Sequence, residues 1–185
     1  MAVVVDTNVA MVASRLTPSA DERCVGACIA RLRVIQQSGG LLIDDKGHIL
    51  REYTKNLGLR GQPGAGHAFA KWVHDHQAVP ERVRQIPITP RNETGWRRYD
   101  EFPDSTDLAT FDRSDQKFVA VALASGENPP ILNAVDSDWW NHREALTTAG
   151  VPIDFLCPQH AHTGLLAGDT DNRSSSRAAT RRLRR

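Results

Sequence analysis

Residues 3–8 read Val3-Val4-Val5-Asp6-Thr7-Asn8, and this stretch decides the fold class. Three β-branched residues in a row make a short strand buried on both faces, and the Asp-Thr-Asn after them reads as a polar turn that closes it. The same design returns twice. Leu41-Leu42-Ile43 stops at Asp44-Asp45, and the run from Pro130 to Val135 stops at Asp136. Buried strands that do not alternate, separated by helical patterns, belong to α/β layer folds with a mainly parallel sheet.

The helices lie where that scheme needs them. Asp21 to Gly39 carries Val25, Cys28, Ile29, Leu32 and Ile35 at helical spacing and ends at Gly39-Gly40. His48 to Leu57 has Ile49, Leu50, Tyr53 and Leu57 as its apolar stripe, with Glu52 at its border. Ala68 to Ala78 holds Phe69, Trp72 and Val73. Ser114 is placed to cap a helix over Asp115–Ser125, and one further helix is predicted over Asp138–Ala149, ended by Gly150. A weaker strand, Gln85–Ile88, contains Pro87 and is therefore expected at a sheet edge; a last strand covers Pro152–Leu156. Residues 91–111 read as a long polar loop, of the kind that often carries function. The expectation is one domain over residues 1–158 and a polar, flexible, arginine-rich tail over 159–185.

Composition narrows the function classes. The chain has 185 residues, 40% hydrophobic and 24% charged, enough to build a core. Its net charge is +1, but residues 169–185 hold six arginines against two aspartates, leaving seventeen basic and twenty acidic groups in the rest. A mildly acidic body excludes a uniformly basic nucleic-acid binder. The longest apolar run, Phe118–Ala124, falls far short of the ~20 residues that span a membrane. The start, Met-Ala-Val-Val-Val-Asp, lacks the basic region of a signal peptide. Three cysteines, an odd number, do not suggest a disulfide framework. A cytoplasmic location is the expectation.

In parallel α/β sheets, ligands bind at the carboxyl ends of the strands. Asp6 and Asp136 stand there, Asp138 follows two residues on, and Asp115 opens a helix with Asp112 just before it. Converging carboxylates raise one another's pKa, and a hard divalent cation relieves the conflict. Mg²⁺ and Mn²⁺ prefer oxygen ligands, so an all-carboxylate site points to metal-assisted phosphoryl transfer. The plainer reading is that Asp and Asn are common turn residues and that Asp115 favours the helix dipole. For one acid alone that reading leads; three at one predicted edge reverse it.

Four segments in order, Val-Val-Val-Asp-Thr-Asn, Ile-Leu-Arg-Glu-Tyr, Ser-Asp-Gln-Lys-Phe-Val-Ala-Val-Ala and Asn-Ala-Val-Asp-Ser-Asp-Trp, resemble the PIN-domain nucleases over about residues 2–157. The resemblance implies a five-stranded parallel sheet of order 3-2-1-4-5 and a Mg²⁺- or Mn²⁺-dependent ribonuclease. It implies that Asp6, Glu52, Asp115 and Asp136 are the catalytic and metal-binding acids, with Asp138 a further ligand and Thr7, Asn8 and Asp112 accessory. It implies RNA as partner, with DNA as an alternative substrate, and it allows a homodimer. The longer chain, the 91–111 loop and the tail depart from the small toxin members of the family, so an inhibitory protein partner is an open expectation.

Other features weigh less. Trp96, Arg97 and Arg98 could stack on bases and grip the backbone, as in single-strand binders, although loop anchoring explains them as well. The tail arginines could hold phosphates. His74-Asp75-His76 and His160-Ala161-His162 are poor metal pairs. Cys24 and Cys28 read as core cysteines, with Cys157 remote in sequence. Gly61-Gln-Pro-Gly-Ala-Gly66 lacks the Gly-Lys-Ser/Thr of a phosphate loop. Two alternatives remain: a non-catalytic nucleic-acid-binding or assembly module on the same fold, and a phosphatase of the haloacid dehalogenase type. The second is disfavoured because Asn8 stands where that chemistry needs a second aspartate and Lys117 lies inside a helix.

Overall fold

In the computed structural model, which describes residues 1–59, 64–91 and 95–161, the apolar runs pair as parallel strands. Val4–Val5 (β1) lies beside Ile131–Asn133 (β4), and β4 beside Ile153–Phe155 (β5). Leu41–Asp44 (β2) pairs with Val83–Ile86 (β3). The architecture is mixed α/β with two small parallel sheets, ordered β1-β4-β5 and β2-β3. The single five-stranded sheet expected from the sequence is thus divided. The reason is local: only Val3 reaches across to β2, donating to the Gly40 carbonyl at 3.0 Å and accepting from Leu42 at 2.9 Å. Pro87 falls just past β3, which among the described residues pairs with β2 alone and so lies at a sheet edge.

Eight helices are described: Thr7–Ala13 (α1), Glu22–Ser38 (α2), His48–Leu57 (α3), Ala65–His76 (α4), Gln116–Ala124 (α5), Ser137–Asn141 (α6), Arg143–Thr148 (α7) and Pro158–Ala161 (α8). Asp21 and Gly39 bound α2 as its caps. Four details differ from the sequence reading. Asp6-Thr7-Asn8 is not a turn but the start of α1: the Asp6 Oδ1 accepts from the Asn8 amide at 2.8 Å and caps the helix. Asp115, not Ser114, occupies the cap position of α5. The helix expected over 138–149 breaks at His142, whose ring is pinned to the Asp138 carbonyl (2.9 Å) and to Thr110 Oγ1 (3.0 Å). Residues 158–161 fold as α8. Most of the expected tail, 162–185, the first half of the 61–66 glycine segment and residues 92–94 lie outside the described residues.

The core is continuous from α1 to the 91–111 segment. That segment is less polar in place than in sequence, because Tyr99, Phe102, Leu108 and Phe111 are all buried. Phe102 stacks on Phe111, and Phe111 meets Trp139 edge-on at 5.0 Å. Burying a phenylalanine is worth about 1.5–3 kcal/mol, so Phe102 and Phe111 hold on the core a segment whose one regular element among the described residues is the 3₁₀ turn Thr106–Leu108. Gly66 of α4 packs on α1 so closely that a Cβ there would overlap the Ala10 carbonyl. Leu16 and Val34, near the first two helices, remain exposed.

The cysteines correct the sequence reading most plainly. Cys157 is not remote: β5 returns the chain to the first turn of α2, where Cys157 is disulfide-bonded to Cys24 across a sequence separation of 133. Cys28, one turn further along α2, is free and buried, and burial pushes its thiol up to about 12. No helix among the described residues is long and apolar enough to cross a membrane.

Candidate metal centre

Asp6 sits where β1 gives way to α1 and is 4% exposed. Its Oδ1 is used by the α1 cap, while its Oδ2 is buried and makes no hydrogen bond among the described residues. A buried carboxylate oxygen with no donor is costly, and burial first of all raises the Asp6 pKa well above its ordinary value. The charges of Asp115, Asp136 and Glu52 raise it further, against the Asn8 amide. These effects place the four sequence-predicted acids in one neighbourhood.

Asp115 is raised to about 7, by burial first and then by Asp136, Asp112 and Glu52, with Lys117 pulling the other way. Its side chain makes no cap bond to α5 and has one long contact, 3.4 Å, from Ser114 Oγ. Asp136 is raised by burial, with Asp138 and Asp112 adding to it. Its Oδ1 caps α6 through the Asp138 amide at 2.8 Å. Asn8 ties the two strands together: its Oδ1 accepts from the Ala134 amide at 2.8 Å. Asn133, fully buried, accepts from the Asp136 amide at 3.2 Å and orients that turn.

The remaining predicted residues are more fully engaged. Asp138 accepts from the Asp112 amide (2.8 Å) and faces His142 Nδ1 (3.2 Å). Asp112 accepts from the Ser114 amide and hydroxyl (2.7 and 2.8 Å). Thr7, almost fully buried, donates to Glu52 Oε1 at 2.6 Å. Trp96 packs on Phe102, and Arg97 bonds the Asp100 carbonyl at 2.6 Å and pairs with Asp104 at 3.5 Å. Both are anchors of the loop. Gln116, fully buried, receives the Arg98 amide and donates to the Trp96 carbonyl, fixing this segment to α5; Arg98 itself is exposed.

Sequence reasoning missed Lys117. Its place on α5 is no obstacle: the side chain is nearly buried, and its Nζ lies 2.5 Å from Glu52 Oε2 and 4.3 Å from the Phe118 ring centre. It also donates to the Ser114 carbonyl. With Thr7 on one oxygen and Lys117 on the other, Glu52 is the most satisfied of the four acids. The only advance signal was a lysine directly before the apolar run Phe118–Ala124.

The donor set fits a hard divalent cation in kind, since it is all carboxylate, excess negative, and contains an unbonded buried oxygen. It is not a closed cage: among the described residues no three carboxylates bring oxygens within 4.8 Å of one another. Mg²⁺ commonly keeps several waters and takes one or two carboxylates directly, which an open arrangement permits.

Comparison with protein-family models, with curated proteins and with solved structures found no match.

Proposed function

We propose that this chain is a Mg²⁺- or Mn²⁺-dependent endonuclease of the PIN type that cleaves RNA. The observation that carries the reading is the bare, buried Oδ2 of Asp6 at the carboxyl end of β1, beside Asp115 and Asp136. The isolated Val3–Leu41 bridge between the two sheets supports the order 3-2-1-4-5 that the family resemblance implies. In that order Asp6 and Asp136 would stand at the carboxyl ends of neighbouring central strands.

Asp6, Asp115 and Asp136 would hold the ion, directly or through water. When bound, it would supply a water acidic enough to ionise near neutral pH and positive charge for the phosphoryl transition state. Asn8 and Asn133 fix the two strand ends, so the acids are held in place before substrate arrives. Glu52, held by Thr7 and Lys117, positions water or the rim of the site rather than ligating. Beyond Glu52 on α3, Arg51 and Lys55 line a cavity of about 850 Å³ together with Lys46 and His74. Arg51, Lys55 and Lys46, set against Asp44 and Asp45 in the same lining, would suit a polyanionic substrate.

The test is cleavage of end-labelled single-stranded RNA and DNA with Mg²⁺, Mn²⁺ or EDTA, wild type beside Asp6→Asn. Metal-dependent cutting of RNA that disappears in the variant is expected. No cutting in either metal, or a fully active Asp6→Asn chain, would overturn the proposal. One observation favours a second reading, a binding module without catalysis: Lys117 already neutralises Glu52 without any metal. That module would bind RNA equally well in EDTA and leave it intact. A phosphatase of the haloacid dehalogenase type still meets Asn8 where it needs an acid.

A further inference from the structure

Away from the carboxylates, the first turn of α2 and the start of α8 bring three sulfurs together. Cys24, Cys28 and Cys157 are all buried, and their Sγ atoms lie within 4.8 Å of one another. Cys24 and Cys28 are one turn apart on one helix face. Cys157 precedes α8, whose His160 amide donates to the Cys157 carbonyl at 2.9 Å. The sequence pattern is Cys-x₃-Cys and, far downstream, Cys-x₂-His. The His160 Nε2 lies 3.2 Å from Asp21 Oδ2, while Asp21 Oδ1 accepts from the Cys24 amide at 2.8 Å. Asp21 therefore ties the imidazole to the same helix turn that carries Cys24. A carboxylate on one imidazole nitrogen is the usual device for orienting a histidine that ligates through the other.

We propose that, with the Cys24–Cys157 bond reduced, Cys24, Cys28 and Cys157 form a zinc site that clasps α8 to α2; the His160 ring, outside the sulfur group in the disulfide-bonded structure, swings in as the fourth ligand. Three thiolates around a tetrahedral Zn²⁺ with bonds of about 2.3 Å stand about 3.8 Å apart, so the Cys24–Cys157 edge, covalently bonded here, opens on reduction, while Cys28 already lies within 4.8 Å of both partners. Soft sulfur ligands select zinc over the hard ions suited to the carboxylate edge, so the two sites take different metals. The disulfide is the oxidised counterpart. A phosphine reductant cleaves it, taking up one oxygen from water and leaving two thiols; Zn²⁺ then displaces three protons from three thiols. This site does not depend on the nuclease reading.

The experiment uses the full chain, reduced with a phosphine, freed of it without air, and titrated with Co²⁺ as a spectroscopic stand-in for Zn²⁺. A single equivalent should produce the intense thiolate-to-cobalt band and the visible bands of tetrahedral cobalt, both removed by Zn²⁺. Cys28→Ser, which leaves the disulfide partners untouched, should weaken cobalt binding by more than about 100-fold, and His160→Gln by about 10-fold or more. Circular dichroism of the oxidised variants shows whether they fold. Asp6→Asn should titrate as wild type, so a failed nuclease assay leaves this result standing. Absence of the thiolate band in the reduced wild type, or an unaltered titration in Cys28→Ser or His160→Gln, overturns the proposal.

Discussion

Two parallel strands end on a buried aspartate, and the two ends are opposites. At the end of β2, Asp44 is 1% exposed and fully satisfied. Its Oδ1 accepts from the Ile49 amide at 2.7 Å; its Oδ2 accepts from the His48 amide at 2.7 Å and meets the His48 ring at 2.8 Å. At the end of β1, Asp6 is equally buried, yet one oxygen is bare and its neighbours are acids. Position in the fold does not separate a fully bonded carboxylate from one with an oxygen to spare. What separates them is whether the next helix consumes the charge. Asp44 gives both oxygens to the first turn of α3, whereas Asp6 gives one to α1 and keeps one.

The largest effect should come from Asp6→Asn, which keeps the cap and removes the charge. Cleavage should fall by at least about 100-fold, the scale of losing one electrostatic group from a transition state, while the melting temperature measured in EDTA does not fall. Asp44→Ala should do the reverse. Losing the charged hydrogen bonds to the His48 and Ile49 amides should cost about 2–4 kcal/mol, read as a lower melting temperature by about 2–4 °C per kcal/mol. Turnover by the protein that remains folded should be little changed. If Asp44→Ala abolished cutting without lowering stability, the contrast would fail.

A smaller effect tests the intermediate case, Glu52. Lys117→Met leaves that carboxylate without its cation and should cost about 1–3 kcal/mol, less than a fully buried pair because Glu52 is partly solvated. The double variant with Glu52→Gln should recover most of the loss, as urea denaturation would show.

The pH dependence sharpens the comparison further. The folded pKa of Asp115 is raised to about 7 from an ordinary 3.8. The folded state therefore holds a proton that the unfolded chain has released. The contribution of this group is fully present below about pH 4 and is lost as pH rises through about 7. Asp6 and Asp136 are shifted in the same direction. In EDTA, Asp115→Asn should therefore stabilise the chain at pH 8 and have little effect at pH 4, as melting curves would show. Mn²⁺ should stabilise the wild type at pH 8 by binding the folded state, and should stabilise the variant less. The smallest effect lies beside Asp44: Arg51→Ala should weaken RNA binding modestly and lower the salt slope by about 0.7 if one phosphate contact is lost.

The sequence made some of this legible and hid the rest for identifiable reasons. Asp6 and Asp136 stood out because each follows a short apolar run, and the caps of α2 were visible as Asp21 and Gly39. The start of α1 was hidden because Asp-Thr-Asn suits a turn as well as a helix entry. Lys117 was hidden because its partner Glu52 belongs to another helix, and no local pattern announces a buried ion pair. The Cys24–Cys157 bond was hidden by its separation of 133 residues and by an odd cysteine count. The 91–111 segment was misjudged because Tyr99, Phe102, Leu108 and Phe111 fall at multiples of three, a spacing that matches neither the 3.6 period of an α-helix nor the alternation of a strand. Local chemistry predicts where a chain turns; it does not reveal which distant group a side chain will meet.

The bond from the Ala134 amide to Asn8, which spans 126 positions, has a consequence in time. During synthesis Asp6 is made long before Ala134, so β1 has no β4 to lie against until those later residues have been translated. Pairings of such long range also form late in folding. A nascent chain would therefore carry Asp6 without Asp136 beside it over that whole interval. On the proposed function, such a chain would remain harmless to its own message until β4 had been made.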